Sequence, residues 1–284
     1  MTTTFVLVHG AFCSSAVWAP TARELALRGH RTVAVDLPGH GLGATIPTGY
    51  LGPQDLSALA KAPSGMAGIS TADDVAAVSE VVRRAAEHGP VVLVGASRGG
   101  LTVTAVANVV PDLLQRIVYV SAWCCVDATA SEYSAAPEHA GSLLAEVGGA
   151  IAVANPADIG AIRLNWRTGD PGHLDILQAA VLADGTREEL IAYLHTQEPD
   201  EALVVDEQAV RADAATWGRV PHTYVRLTED RAMPLALQDR FIAEADALTP
   251  ENPFDVHSVA SSHLRFQIHP AETVEILDGL APRS

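Results

Sequence analysis

The stretch Val91-Val92-Leu93-Val94-Gly95-Ala96-Ser97-Arg98-Gly99-Gly100-Leu101 decides how this chain is read. Four apolar, mostly β-branched residues predict a strand over 91–94, and the apolar run 101–110, ending before Pro111, predicts a helix. Only a tight turn is left between them. Glycines at 95 and 99 suit that turn, because backbone crowds in two residues either side of the serine and leaves little room for side chains. A serine held there projects its hydroxyl above the strand end. It also sits beside a helix N-terminus, whose N–H groups and macrodipole favour developing negative charge. This strand, turn and helix setting is the context in which a G-x-S-x-G match marks a nucleophile, here Ser97.

Outward from this turn, short apolar runs at 5–8, 32–35, 117–120 and 223–227 read as strands buried on both faces, and 254–259 as the last strand. Helical patterns separate them, one opening at Thr71-Ala72-Asp73-Asp74 and running toward His88. Alternating strands and helices predict an α/β fold with a mostly parallel central sheet and helices on both faces. After Ala122 the pattern changes to helices, at 157–166, 174–183 and 187–194, and strands resume only at Thr223. A helical block between two sheet strands reads as a cap over the strand ends. The expected organisation is a core of 1–121 and 219–284 with a helical cap insertion of 122–218. The Gly- and Pro-rich segment 39–68 reads as loop.

With 284 residues, 48% of them hydrophobic, the chain can bury one sizeable core carrying an insertion. Its 34 acidic against 18 basic residues give a formal net charge of −16, which argues against nucleic acid or an anionic membrane surface as partners. Lys61 is the only lysine in this Ala- and Arg-rich chain, as expected of GC-rich bacterial coding sequence. There is no apolar run of membrane-spanning length and no basic segment before the short apolar run at 5–8, so a cytoplasmic protein is expected. Cys13, Cys124 and Cys125 are an odd number, two of them adjacent, which suits reduced thiols behaving as small buried hydrophobes. They offer no metal-ligand spacing, and no metal or cofactor is expected. The expected partner is a small-molecule substrate, and a homodimer is allowed.

A serine hydroxyl needs a base to take its proton, usually a histidine oriented by a carboxylate. On a sheet of this kind the order is Ser, then Asp or Glu, then His. Of the 11 histidines, His263 in Ser261-Ser262-His263-Leu264 follows the last strand and fits, whereas His269 precedes Pro270 and suits a helix entry. For the acid, Thr228-Glu229-Asp230-Arg231 follows the strand 223–227. Position leaves Glu229 and Asp230 in competition, with Asp127 as a third candidate one strand earlier.

Val8-His9-Gly10-Ala11-Phe12, Asp36-Leu37-Pro38-Gly39-His40-Gly41, the segment 95–100, Thr228-Glu229-Asp230 and Ser262-His263 together resemble the α/β-hydrolase superfamily. The chain is most similar there to the branch of methyl-salicylate esterases, hydroxynitrile lyases and their bacterial relatives. The resemblance covers roughly 1–121 and 220–284, leaves the cap unmatched, and favours Asp230 as the acid. It implies an oxyanion hole formed by the backbone N–H groups of Ala11 and Arg98. Hydroxynitrile lyases of this branch carry a hydroxyl residue at the position of Gly10 and a lysine at that of Leu264, which argues against cyanohydrin cleavage. The expected activity is hydrolysis of a carboxylic ester, thioester or lactone of a small apolar or aromatic substrate. The alternatives are a tailoring enzyme of secondary metabolism (acyl transfer, lactone or epoxide opening) and a slow-turnover ligand-binding protein. Phe12, Trp18, Trp123, Tyr133, Trp166 and Leu264 are the expected pocket residues, although aromatics also fill cores.

Overall fold

A computed structural model describes residues 2–203 and 205–281. Six strands, β1 (Thr4–Val8), β2 (Arg31–Val35), β3 (Val91–Ser97), β4 (Arg116–Ala122), β7 (His222–Leu227) and β8 (Asp255–Val259), form one parallel sheet in the order β2-β1-β3-β4-β7-β8. The inner strands β1, β3 and β4 are buried almost throughout, as their continuous Val, Ile and Leu content requires once both faces are covered. Residues alternate between the faces. Val91, Leu93 and Ile117 pack with the helices Thr71–Ala86, Gly99–Val109 and Leu235–Leu248, while Val92, Val94 and Val118 pack with Ala19–Leu27 and Ala271–Leu280. From β1 the chain crosses one way to β2 and the other way to β3, so the carboxyl ends of β1 and β3 flank a topological switch point, where open α/β sheets place their ligands.

Between β4 and β7 the expected helices Pro171–Val181 and Arg187–Leu194 are present, capped by the side chains of Asp170 and Thr186. The expected helix over 157–166 is not. Its helix, Pro156–Ile159, stops at Gly160, which turns left-handed at φ 68°, and the chain enters a short strand, β5 (Ala161–Arg163). This pairs antiparallel with β6 (Asp200–Ala202) in a two-stranded ribbon that the apolar pattern did not reveal. Arg163, fully buried, binds Asp200 through its Nη2 at 2.6 Å and the Leu59 carbonyl through Nη1 at 2.6 Å. The Gly/Pro-rich segment also holds more order than expected, a helix Leu56–Lys61 capped by Asp55. Both ends of the insertion, including Trp123, Tyr133, Val210 and Trp217, join the core on one sheet face, and its middle carries the apolar cluster of Val147, Leu164, Trp166 and Leu177 over the strand ends. None of the described helices is long and apolar enough to cross a membrane.

Candidate active site

Ser97 is the last residue of β3 and lies at φ 52°, in the left-handed region that a side chain other than glycine enters at a cost. Its neighbours show why glycine is required beside it. A Cβ on Gly95 would sit 2.9 Å from the Gly99 carbonyl oxygen, one on Gly99 2.5 Å from the His9 carbonyl oxygen, and one on Gly100 2.3 Å from that of Trp123. The helix Gly99–Val109 is therefore pressed against the ends of β1 and β4. Ser97 stands at its N-terminus.

His263 follows β8 in a loop that the insertion holds. The Leu264 N–H donates to the Val181 carbonyl at 3.0 Å and the Ser262 N–H to Asp184 Oδ2 at 3.1 Å. Asp230 lies in the turn after β7, its side chain wholly out of solvent. Its Oδ1 accepts the N–H groups of Ala232 and Met233 at 2.7 and 2.8 Å. Oδ2 accepts the Ser121 hydroxyl at 2.7 Å and faces His263 Nδ1 at 2.6 Å. Four donors stabilise the carboxylate in a place where an unpaired one would not survive. With the proton on Nδ1, His263 Nε2 carries the free lone pair. Burial works against charging the imidazole, but the charge and hydrogen bond of Asp230 outweigh it and raise the His263 pKa above its usual 6.5. Glu229 and Asp127 are both exposed, and Asp230 is the carboxylate in contact with His263.

Neither the Ala11 N–H, after β1, nor the Arg98 N–H, after β3, finds a protein acceptor among the described residues. After Ala11, the Phe12 N–H donates to Glu201 Oε2 at 2.9 Å, and the Phe12 carbonyl accepts the Glu198 N–H at 2.8 Å. Phe12 itself is left-handed, at φ 58°. His9 holds the turn from below, its Nε2 accepting the Leu37 N–H at 3.1 Å while Nδ1 donates to the Gly10 carbonyl at 2.8 Å. Burial, with the charge of His40, lowers the His9 pKa to about 4 and keeps it neutral. His40 behaves oppositely. Burial alone would lower its pKa, but hydrogen bonds to Glu198 (2.8 Å) and Glu201 raise it to about 9. Glu201 is likewise penalised by burial, yet the His40 hydrogen bond and the Arg98 guanidinium, 3.3 Å away, hold it down to about 2.

Ser97, His263, Ala11, Phe12, Trp166 and Leu264 all line one cavity of about 270 Å³. Leu144, Val147, Ile162, Leu164 and Leu194 of the insertion form much of its wall, and among the described residues no Lys, Arg, Asp or Glu lines it. Three expected pocket residues lie elsewhere. Trp18 is fully buried against Phe266 in the core, with ring centres 5.9 Å apart. Trp123 packs on Phe241 at 5.7 Å. Tyr133 turns its hydroxyl to the N–H groups of Val126, Asp127 and Ala128 and to Glu244. Trp123 directly follows β4, and Trp18 and Tyr133 lie in short helices, but all three side chains turn into the core rather than the cavity.

Residues not expected from the sequence are also present. Ser121, at φ 39°, supports Asp230 from the end of β4, and its only signal was a hydroxyl interrupting an apolar strand. Tyr193, Gln197 and Gln267 give the cavity a polar side, Gln267 one helical turn after His263. Cys13 also lines it, but burial raises its thiol pKa to about 11, so it stays protonated. Among the described residues no group of three His, Cys, Asp or Glu side chains is placed to hold a metal ion.

Solved structures share this architecture over nearly the whole chain. A pyrethroid hydrolase from Sphingobium faniae JZ-2 superposes with a TM-score of 0.72 over 98% of this chain and 97% of that one, at 20% identity. Polyneuridine aldehyde esterase does so with a TM-score of 0.70 over 99% and 100%, at 19% identity. An α-hydroxynitrile lyase of Arabidopsis thaliana is 26% identical over 120 residues, which is 42% of this chain and 39% of that enzyme. The model of the Alpha/beta hydrolase family matches residues 5–276. With that match running from β1 into the last helix, the chain belongs to the alpha/beta hydrolase family.

Proposed function

We propose that this protein is a serine hydrolase that cleaves small, uncharged apolar or aromatic carboxylic esters, thioesters or lactones through an acyl-Ser97 intermediate. The observation that carries the reading is that Ser97 and His263 open into one cavity while Asp230 Oδ2 fixes His263 Nδ1 at 2.6 Å. Ser97 Oγ attacks the ester carbonyl as His263 Nε2 takes its proton, and the imidazolium so formed is stabilised by Asp230. The tetrahedral oxygen is received by the Ala11 and Arg98 N–H groups, both without a protein acceptor. His263 then protonates the leaving alcohol, and water, deprotonated by the same nitrogen, releases the acid. The apolar lining favours an uncharged substrate, since a carboxylate or phosphate would lose its water there without a cation to replace it. The names of the structural neighbours, a hydrolase and an esterase, agree. Cyanohydrin cleavage, suggested by the lyase match, is the weaker reading, because the cavity offers a departing cyanide no Lys or Arg and has Leu264 beside His263.

The test is labelling with a fluorophosphonate together with release of p-nitrophenol from short-chain esters. Wild type should label and turn over. Ser97→Ala should do neither, with hydrolysis reduced by a factor of about 10⁴ or more. Labelling and hydrolysis that survive Ser97→Ala would refute the assignment.

A further inference from the structure

The oxyanion loop after β1 is held from below by His9 and on its other side by the insertion. Phe12 has both main-chain groups bound to the segment around β6, its N–H to Glu201 Oε2 and its carbonyl to the Glu198 N–H. A residue at φ 58° persists only while such contacts enforce it, because the backbone relaxes to negative φ once they are lost. That relaxation would rotate the peptide groups flanking Phe12 and with them the neighbouring Ala11 N–H. The same Glu201 carboxylate reaches the second donor residue, lying 3.3 Å from Arg98 Nε through Oε1. A carboxylate beside an oxyanion site would ordinarily oppose the developing charge. Here Arg98 and His40 face Glu201, and His40 also binds Glu198, so each of these carboxylates has a basic partner. Asp74 borders the same small space beside Arg98 and Glu201.

We propose that Glu201 is a positioning residue. It fixes the loop that carries the Ala11 N–H and reaches the Arg98 side chain, so that the Ala11 donor is in place only while the insertion is seated on the sheet. The inference rests on the acyl-Ser97 reading, in which the Ala11 and Arg98 N–H groups receive the oxyanion. Glu201 does not line the cavity into which Ser97 and His263 open.

The experiment compares Glu201→Met, which keeps the length but removes the acceptor, with Glu201→Gln, which keeps a carbonyl oxygen for the Phe12 N–H. Turnover is expressed per active site titrated with fluorophosphonate, so that unfolded protein does not count. Glu201→Met should lose at least about tenfold in kcat with KM changed less than about threefold, because misplacing an oxyanion donor acts on the transition state alone. Glu201→Gln should return to within about threefold of wild type. A merely structural role would lower thermal stability and the titratable fraction but leave kcat per site unchanged, and that result in Glu201→Met would overturn the proposal. So would a rise in KM at constant kcat. In the unmodified protein, amide hydrogen exchange of residues 10–13 should track that of 198–202, and independent opening of the two would also overturn it. Ser97→Ala measured alongside separates the cases: turnover surviving there removes the acyl-enzyme reading itself, whereas a normal kcat in Glu201→Met removes only the positioning role.

Discussion

Ser97 and Asp230 stand at the ends of strands buried in the sheet, whereas the loops of Phe12 and His263 are tied down by the insertion through Glu198, Glu201, Val181 and Asp184. The first pair is placed by apolar packing on both faces, which is insensitive to pH and costly to disturb. The second is placed by hydrogen bonds and by buried charges that titrate. The difference teaches that the parts of the site have separate supports: the core places Ser97 and Asp230, and the insertion holds the loops of Phe12 and His263.

The sharpest way to break this comparison is at the core side. Asp230→Asn keeps the shape but presents an amide to His263 Nδ1, so the wrong tautomer is favoured, and kcat should fall by a factor of about 10³–10⁴. Glu229→Gln, one residue earlier and exposed, should stay within about twofold. If Glu229→Gln were the more damaging change in ester hydrolysis, the acid would have to be reassigned. The pH profile adds a second check. His263 acts as a base only when neutral, and Asp230 raises its pKa above 6.5, so kcat/KM should climb with pH through an inflection above 6.5. Residual activity of Asp230→Asn should show that inflection at lower pH.

The insertion side is tested through His40. Its folded pKa of about 9 exceeds the unfolded value of 6.5, so its contribution to stability is complete below pH 6.5 and is lost as pH rises through 9. Urea unfolding should show a loss on the order of 2 kcal/mol over that window in the wild type. The loss should be much reduced in His40→Asn. An unchanged alkaline slope in the variant would mean that the buried charges do not anchor the insertion. His9 runs the other way: its folded pKa of about 4 makes a contribution present above pH 6.5 and lost as pH falls toward 4.

The smallest effect is expected at the cavity wall. Trp166 packs edge-on against Phe12, with centres 5.2 Å apart, and closes the cavity from above. Trp166→Ala should raise KM for aromatic esters by about tenfold and leave kcat within about threefold, since it removes binding shared by ground and transition states. A fall in kcat instead would show that the wall also positions the oxyanion loop beneath it.

How much of this was legible follows from the same contrast. Continuous apolar runs placed five strands to within a few residues, and the turn at Gly95–Gly99 could be read because its glycines answer to backbone contacts close in the chain or to the strand beside them. His263 could be singled out because it follows the last strand, whereas position left Asp230 in competition with Glu229 and Asp127 until the resemblance favoured it. The insertion could not be read this way. Asp200 and Glu201 look like surface residues until Arg163, His40 and Arg98, each distant in the chain, arrive to pair with them. The helix expected over 157–166 was cut at Gly160, whose left-handed turn no periodicity announces. Trp18, Trp123 and Tyr133 show the remaining limit, since an aromatic near the strand ends in sequence says little about which side of the sheet it will fill.

The absence of charge from the cavity wall has a consequence for the direction of the proposed reaction. The ester enters as a neutral molecule at home among Leu, Val and Trp, but the acid it becomes is an anion in a chamber lined, among the described residues, by no Lys or Arg, with a transiently protonated His263 beside it. Once that proton is given up, the product is repelled by its surroundings and by a protein of net charge −16. Catalysis thus converts a guest the cavity retains into one it expels, so product should inhibit weakly, and less so the higher the pH.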